Sequence, residues 1–183
     1  MEEKRNRYIA AAFTGYRPSK MPFEVTEENI RRYQRRIEEE IERQAALGIR
    51  YFMSGMCNGA DLWAAEAVLR VKREKAPHIE LYAIVPFEGQ DRYFSTAEKK
   101  LYRQILAEAA KTVVLSPRVA GREAAQAFDR RNRYMVEHCD VLIALCEHEN
   151  IKPGGTRNTV RYAKDTGKTV VFLPPTAIGW RVL

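Results

Sequence analysis

Cysteine is scarce in this chain, and long apolar runs are absent. The 183 residues include 3 cysteines and 3 histidines with neither CxxC nor HxxxH spacing, so the sequence predicts reduced thiols and no metal site. No apolar run approaches the roughly 18 residues of a membrane-spanning helix, and the charged residues 1–7 lack the apolar core of a secretory signal. We therefore expect a cytoplasmic protein with no membrane partner.

Glycine and proline are also few, at 10 and 8 residues, and the chain has no low-complexity tract or internal repeat. A chain of this length with 45% hydrophobic residues can form one sizeable core, and we predict a single domain over residues 1–183. The net charge of +7 favours polyanionic partners. Much of this excess, however, lies among glutamates between Arg31 and Glu42, a pattern typical of a solvated helix face.

Short apolar runs alternate with segments of helical periodicity along the chain. Strands are predicted at residues 8–13, 50–53, 79–85, 112–115, 141–145 and 169–173. Helices are predicted after the capping residue Thr26 as far as Gly48, at 60–75, around 101–109, at 124–138, and from Gly155 to about 166. Residues 116–123 predict a mobile loop, and the tail 174–183 shows no clear periodicity.

This alternation predicts an α/β fold, a three-layer Rossmann-like domain with a mainly parallel sheet of about six strands and helices on both faces. Ligands of such sheets bind beyond the carboxyl ends of the strands, at a topological switch point. Three glycine-containing or polar segments follow predicted strands, at residues 14–17, 54–61 and 147–159. If the strand order is Rossmann-like, these segments converge on one crevice.

The segment from Ser54 to Asp61 contains two glycines between a predicted strand and a predicted helix. Such a turn leaves N–H groups free at the helix N-terminus, which attracts phosphate or another anion. The alternative is a tight crossover that needs Gly55 and Gly59 only for packing. The segment is not a GxGxxG dinucleotide fingerprint, and no partner base makes Cys57 a nucleophile.

Two further loops carry similar chemistry. After the first predicted strand, Gly15 allows close approach of a ligand, Tyr16 can stack on a base or ribose, and Arg17 can bind a phosphate, although a plain tight turn is equally consistent. In the second loop, Gly154 and Gly155 open a helix whose first turns carry threonine hydroxyls suited to phosphate or ribose.

One arginine is predicted to point into the protein. Arg131 falls on the same helical face as Phe128 and Met135, so it needs an anionic partner, either a carboxylate or a bound phosphate. Glu88 and Glu147 follow predicted strands and are weak candidates for a catalytic acid, each equally consistent with an ordinary loop residue.

Together, several motifs resemble the YpsA family of the SLOG superfamily of Rossmann-like nucleotide-binding proteins. The motifs are Phe13-Thr14-Gly15-Tyr16-Arg17, Ser54-Gly55 with Gly59-Ala60-Asp61-Leu62-Trp63-Ala64, Pro86-Phe87-Glu88, Asn132-Arg133-Tyr134-Met135 and Gly154-Gly155-Thr156-Arg157-Asn158-Thr159. The resemblance covers nearly the whole chain. It implies a nucleotide-derived ligand at the carboxyl ends of the strands and implies no particular reaction.

Two related families imply different alternatives. Lonely Guy phosphoribohydrolases share an Arg-x-x-x-Met helix and a Pro-Gly-Gly loop, but their loop glutamate has no counterpart here, where Val160, Arg161 and Tyr162 stand. Glycosidic hydrolysis needs such a carboxylate. The DNA-processing protein DprA has a turn similar to Ser54–Asp61 and implies binding of single-stranded DNA, yet no basic segment with interleaved aromatics is present.

We therefore predict a protein that binds a nucleotide or an ADP-ribose-like ligand, with a sensing or regulatory role and no required cofactor. The alternatives are an N-glycoside hydrolase acting on a nucleotide and a protein that binds single-stranded nucleic acid. The predicted ligand-binding residues are Thr14, Gly15, Tyr16, Arg17, Ser54, Gly55, Asn58, Gly59, Asp61, Arg131, Gly154, Gly155, Thr156, Asn158 and Thr159.

Overall fold

Six strands form one parallel sheet in the computed structural model, which describes residues 9–178. They are β1 (Ile9–Gly15), β2 (Ile49–Ser54), β3 (Glu80–Val85), β4 (Lys111–Val114), β5 (Val141–Leu145) and β6 (Thr169–Phe172). Every neighbouring pair is parallel, in the order β4-β3-β2-β1-β5-β6. The predicted Rossmann-like α/β fold is confirmed. Tyr8, predicted to begin the first strand, lies outside the described residues.

Five α-helices connect these strands: α1 (Glu27–Ala46), α2 (Ala60–Glu74), α3 (Thr96–Glu108), α4 (Gly121–Glu137) and α5 (Gly155–Asp165). Thr26 caps α1 as predicted, because its side-chain oxygen accepts the N–H of Asn29 at 3.2 Å. The helix predicted to begin at residue 124 begins at Gly121 instead, which shortens the predicted loop. In the predicted aperiodic tail, residues Pro175–Ile178 form a 3-10 turn.

The helices cover both faces of the sheet, so the molecule has three layers. Alternate residues of β1 belong to different cores: Ala11 and Phe13 pack with α1, α2 and α3, whereas Ala12 packs with α4 and α5. This division follows from the two-residue period of a strand. It also explains why the strands are apolar on both faces.

The strand order places a topological switch point beside β1. The chain proceeds from β1 through β2 and β3 to the edge strand β4, and then returns to the other side of β1 as β5. The loops that leave β1 and β5 therefore diverge to helices on opposite faces, and a crevice opens between them. Within residues 9–178, no helix combines the length and apolar character needed to cross a membrane.

Candidate functional site

Two cavities open at the carboxyl ends of β1 and β5. Cavity one, of about 780 Å³, lies between the loop after β1 and the loop after β5, and its lining includes Tyr16, Met21, Glu147, Ile151 and Arg157. Cavity two, of about 330 Å³, lies between β1, α2 and α4, and its lining includes Thr14, Arg17, Asn58, Asp61 and Arg131. The cavities share Lys20, Gly155 and Thr156. All three predicted segments thus contribute to cavity two.

Arg131 points inward, as the sequence predicts, and its anionic partner is a carboxylate. The residue is 4% exposed, and its Nη1 donates to Oδ2 of Asp61 at 3.1 Å. Nη2 lies 3.3 Å from Sγ of Cys57. Although burial disfavours the charge, Cys57 and Asp61 raise the pKa of the guanidinium, so Arg131 stays charged. Its Nε has no hydrogen-bond partner in the described part of the chain.

In the turn before α2, which the sequence predicts to bind an anion, three backbone N–H groups donate within the protein. The N–H of Ala60 donates to the carbonyl of Tyr16 at 3.1 Å, and that of Leu62 donates to the carbonyl of Cys57 at 3.2 Å. The N–H of Cys57 donates to the carboxylate of Asp61 at 3.3 Å. These three N–H groups therefore have acceptors within the chain, while Cys57, Asn58 and Asp61 of the same turn line cavity two.

Three residues of this turn that were predicted to bind ligand are not among those lining the two cavities. Ser54 is fully buried, and its hydroxyl donates to the carbonyl of Asp61 at 2.8 Å. Gly55 lies against the guanidinium of Arg131, and Gly59 has a φ of +86°, in the left-handed region that favours glycine. These residues shape the wall of cavity two from behind.

The N-terminus of α5 opens to both cavities. Gly154 precedes the helix and offers no side-chain cap, while Gly155 and Thr156 line both cavities. The Thr156 hydroxyl donates to the carbonyl of Gly15 at 2.8 Å, which ties α5 to β1. The uncapped first turn of α5 presents N–H groups and the positive end of the helix dipole to the crevice.

Two residues of α5 that were predicted to bind ligand, Asn158 and Thr159, line neither of the two cavities. The Thr159 hydroxyl donates to the carbonyl of Gly155 at 2.8 Å, one turn back in the same helix. Asn158 and Thr159 line a separate depression of about 110 Å³ together with Asn132 and Tyr162. Thr159 and Asn158 are therefore not brought together with Gly15, Arg17 and Arg131.

The two candidate acids occupy different places. Glu147 lines cavity one, and its carboxylate accepts a hydrogen bond from the hydroxyl of Tyr16. Burial and this contact with Glu147 raise the pKa of Tyr16 above its usual range, so Tyr16 remains a donor. Glu88 is exposed and is not among the residues that line either cavity. Of the two, only Glu147 faces a cavity at the switch point.

Arg17 extends across the mouth of cavity two. Its Nη1 donates to Oδ1 of Asn58 at 2.9 Å, and its guanidinium carbon lies 5.2 Å from the ring centroid of Phe128, a cation–π contact. Arg17 is exposed. One face of this guanidinium is therefore supported, and the residue remains accessible to an anion.

Sequence reasoning missed several residues of the site. Lys20 lies in a 3-10 turn (Pro18–Lys20), and its Nζ is 3.3 Å from the position that a Cβ on Gly154 would take. Arg157 and Lys152 line cavity one, and Phe128 lines cavity two. The Pro- and Lys-containing loop after the first strand was the available signal for Lys20, because it follows the same strand as Gly15.

Comparisons with known proteins agree with this fold. The YpsA family model, described as the YspA SLOG family, matches residues 11–174. The chain is 30% identical over 152 residues to a UPF0398 protein of Halalkalibacterium halodurans, covering 82% of this chain and 78% of that protein. It is 29% identical over 145 residues to a UPF0398 protein of Bacillus pumilus, covering 76% and 74%.

A solved structure shows the same fold. DNA processing protein A from Helicobacter pylori aligns with 91% of this chain at a TM-score of 0.58 and 20% sequence identity. This chain spans 66% of that protein's length. The structure of that protein was described for its binding of single-stranded DNA. At this level of identity the likeness establishes the arrangement of strands and helices.

Proposed function

The chain belongs to the YspA SLOG family, and from this premise we propose that it binds a nucleotide or an ADP-ribose-like nucleotide derivative in a sensing or regulatory role. The observation that carries the proposal is the cationic crevice at the switch point. There, Lys20 and the uncapped N-terminus of α5 lie side by side in the wall of both cavities.

Phosphate recognition is the first step of this argument. A helix N-terminus and a lysine ammonium both attract an anion, and their effects add when the anion lies between them. Lys20 has no carboxylate partner within residues 9–178, whereas Lys72 in α2 and Lys75 just after it form ion pairs with Glu80 and Glu42. A phosphate at this wall supplies the missing counter-charge.

The chemistry of cavity one suits the nucleoside. Met21 and Ile151 provide apolar surface, and Tyr16 provides an aromatic ring on which a base can stack. Glu147 offers carboxylate oxygens that can accept hydrogen bonds from ribose hydroxyls. At about 780 Å³, the cavity lies in the usual range of small-molecule sites, roughly 300–1,000 Å³.

A thermal-shift panel tests the proposal. AMP, ADP, NAD, ADP-ribose and cyclic AMP are each added at millimolar concentration, and tight binding to the folded state raises the melting temperature. We expect at least one to shift the wild-type protein and to shift Lys20→Met much less. Lys100→Met, which removes the same charge from the exposed surface of α3, is the control and is expected to respond like wild type. If no nucleotide shifts the wild-type protein, the proposal fails.

An aromatic and basic surface beside cavity two favours single-stranded DNA as the second candidate ligand. Tyr93 is 84% exposed, and the Arg92 guanidinium carbon lies 4.7 Å from its ring centroid. Both residues line a depression of about 210 Å³ that shares Arg17 and Phe128 with cavity two. Stacking aromatics beside arginines are typical of proteins that bind single strands.

Fluorescence polarisation with a labelled oligothymidylate separates this candidate from the first. DNA binding predicts an affinity that falls steeply with salt and weakens about tenfold in Tyr93→Ala, since stacking contributes roughly 1–3 kcal/mol per base. Leu47→Ala, which changes an exposed side chain between α1 and β2, is the control. Nucleotide binding with no oligonucleotide affinity excludes the DNA candidate.

For the alternative of an N-glycoside hydrolase, Glu147 is the candidate acid that lines a cavity, whereas Glu88 lines neither. Release of free base from AMP or NAD, lost in Glu147→Gln while binding persists, favours this activity. A protein that binds the nucleotide and releases no base excludes it.

A further inference from the structure

The thiol of Cys57 belongs to the wall of cavity two, and the binding function proposed above does not use it. The residue is 5% exposed and lines an open cavity of about 330 Å³, so a small molecule in that cavity can approach it. Cys139 and Cys146 are also buried but are not among the residues that line either cavity. Of the three thiols, Cys57 is therefore the one that a reagent in the crevice can reach.

A charged guanidinium contacts this sulfur. Nη2 of Arg131 lies 3.3 Å from Sγ of Cys57, and Nη1 of the same group donates to Oδ2 of Asp61 at 3.1 Å. Asp61 also accepts the backbone N–H of Cys57 at 3.3 Å, so the three residues form one cluster. Within residues 9–178, Sγ is the only acceptor that Nη2 has. A thiol sulfur is a weak acceptor, so this donor is poorly satisfied.

A second donor of Arg131 has no acceptor at all. The residue is 4% exposed and lines cavity two, yet its Nε lacks a hydrogen-bond partner in the described part of the chain. In Arg43 the corresponding Nε and Nη2 donate to the two carboxylate oxygens of Glu40, at 2.9 and 2.7 Å. In Arg131 these two nitrogens share one sulfur atom. A buried N–H without an acceptor costs free energy, which an oxygen bonded to Sγ of Cys57 would offset.

We propose that Cys57 is a site of oxidation by hydrogen peroxide or another small hydroperoxide, and that Arg131 holds the oxygen that the sulfur acquires. The thiol first releases its proton to solvent. The thiolate sulfur then attacks one peroxide oxygen, so that the S–O bond forms as the O–O bond breaks. The second oxygen leaves as hydroxide, which takes the proton of the new S–OH group and becomes water. The sulfur has lost two electrons to the peroxide, and the oxygen of the resulting sulfenate accepts from Nε of Arg131.

Dimedone, which captures a sulfenic acid as a stable thioether, tests the site of oxidation. The whole protein is treated with hydrogen peroxide and dimedone together, and peptide mass spectrometry locates the adduct. We expect Cys57 to be labelled at least about tenfold faster than Cys139 or Cys146, because burial raises the pKa of each of those two thiols to about 12 and so disfavours their thiolates. Cys57→Ser is expected to lose the adduct, and Cys146→Ser, the matched control, to retain it. Absence of an adduct on Cys57 under conditions that oxidise free cysteine, or faster labelling of another thiol, overturns the proposal.

Arg131→Lys tests the positioning role of Arg131, because lysine keeps the positive charge and lacks the forked donors. Rates of Cys57 are measured with peroxide and with iodoacetamide, which alkylates the sulfur without bonding an oxygen to it. We expect the variant to slow oxidation roughly tenfold relative to alkylation. Equal slowing of both reactions shows that Arg131 only shapes the cavity and overturns its assigned role. The labelling of the wild-type protein stands as a test even if Arg131→Lys does not fold. Neither assay contains a nucleotide, so their outcomes are separate from that of the thermal-shift panel.

Discussion

The guanidinium of Arg131 occupies the space that any side chain on Gly55 would need. A Cβ built on Gly55 would lie 1.2 Å from Nη1 and 2.1 Å from Cζ of Arg131. The glycine of the turn before α2 thus makes room for a buried ion pair. In that pair, the partner of Arg131 is Asp61, which lies in the first turn of α2.

Gly55→Ala is therefore expected to expel Arg131 from its place beside Asp61. Breaking one side of a buried ion pair costs about 3–5 kcal/mol. Urea unfolding followed by circular dichroism measures this loss in the free energy of unfolding. Gly155→Ala is the control: its Cβ would have only Asn132 within 4 Å, at 3.9 Å, and we expect a change within about 1 kcal/mol. Equal stability of the two variants contradicts the steric argument.

The threonines of α5 give a matched pair of variants. Each hydroxyl donates to a backbone carbonyl at 2.8 Å, that of Thr156 across the crevice to Gly15 and that of Thr159 within the helix. Replacing either with valine is expected to cost about 1 kcal/mol of stability. Only Thr156→Val loosens the wall shared by the cavities, so only it should weaken ADP-ribose several-fold in calorimetry. A larger loss of ADP-ribose affinity in Thr159→Val than in Thr156→Val counts against binding at the wall that the cavities share.

Alkaline pH is expected to destabilise the protein. Burial raises the pKa of Cys139 and of Cys146 from 9.0 to about 12 in each case. Between pH 9 and 12 the unfolded chain releases these protons while the native chain keeps them, so the free energy of unfolding falls as the pH rises. The contribution of these two thiols to the free energy of unfolding is fully present below pH 9.

Urea titrations at pH 8, 9 and 10 measure this slope. A double variant with Cys139→Ala and Cys146→Ala starts from lower stability and should lose less of it over the same interval. A slope unchanged in the double variant assigns the pH dependence to other groups, such as Tyr33, whose pKa burial also raises.

Capping of α1 can be measured at Thr26, the residue that precedes the helix. Thr26→Ala removes the oxygen that accepts the N–H of Asn29, and we expect a loss of about 1 kcal/mol. Thr96→Ala makes the same change at the first residue of α3, where Ser95 provides the cap, and should have little effect. Melting temperatures of the two variants compare the sites directly.

Local signals in the sequence were sufficient to predict the fold. The threonine before α1, the helical spacing of Ile37 and Ile41, and the wholly apolar β5 each act over a few residues, and each element lies where it was predicted. The inward direction of Arg131 was also predictable, because helical periodicity fixes which face a residue occupies. Such features depend on near neighbours in the chain.

Partners that are distant in sequence could not be predicted in the same way. A carboxylate and a bound phosphate were equally good partners for Arg131, and the separation of 70 positions between Asp61 and Arg131 carries no information on the choice. The carbonyl of Tyr16 that accepts from Ala60 is a backbone group, which every residue possesses. The loop after the first strand placed Lys20 near Gly15, but nothing near Lys20 in the sequence indicated that its side chain reaches Gly154 at the start of α5.

The end of β1 is held from several directions, and this has a consequence for binding kinetics. The carbonyl of Gly15 accepts from Thr156, the carbonyl of Tyr16 accepts from Ala60, and the hydroxyl of Tyr16 reaches Glu147. Because these hydrogen bonds hold the end of β1 in place, we expect the crevice to have its binding conformation before the ligand arrives. Stopped-flow traces should therefore show one phase whose rate rises linearly with ligand concentration. Differences in affinity among ligands should then arise mainly from their rates of dissociation.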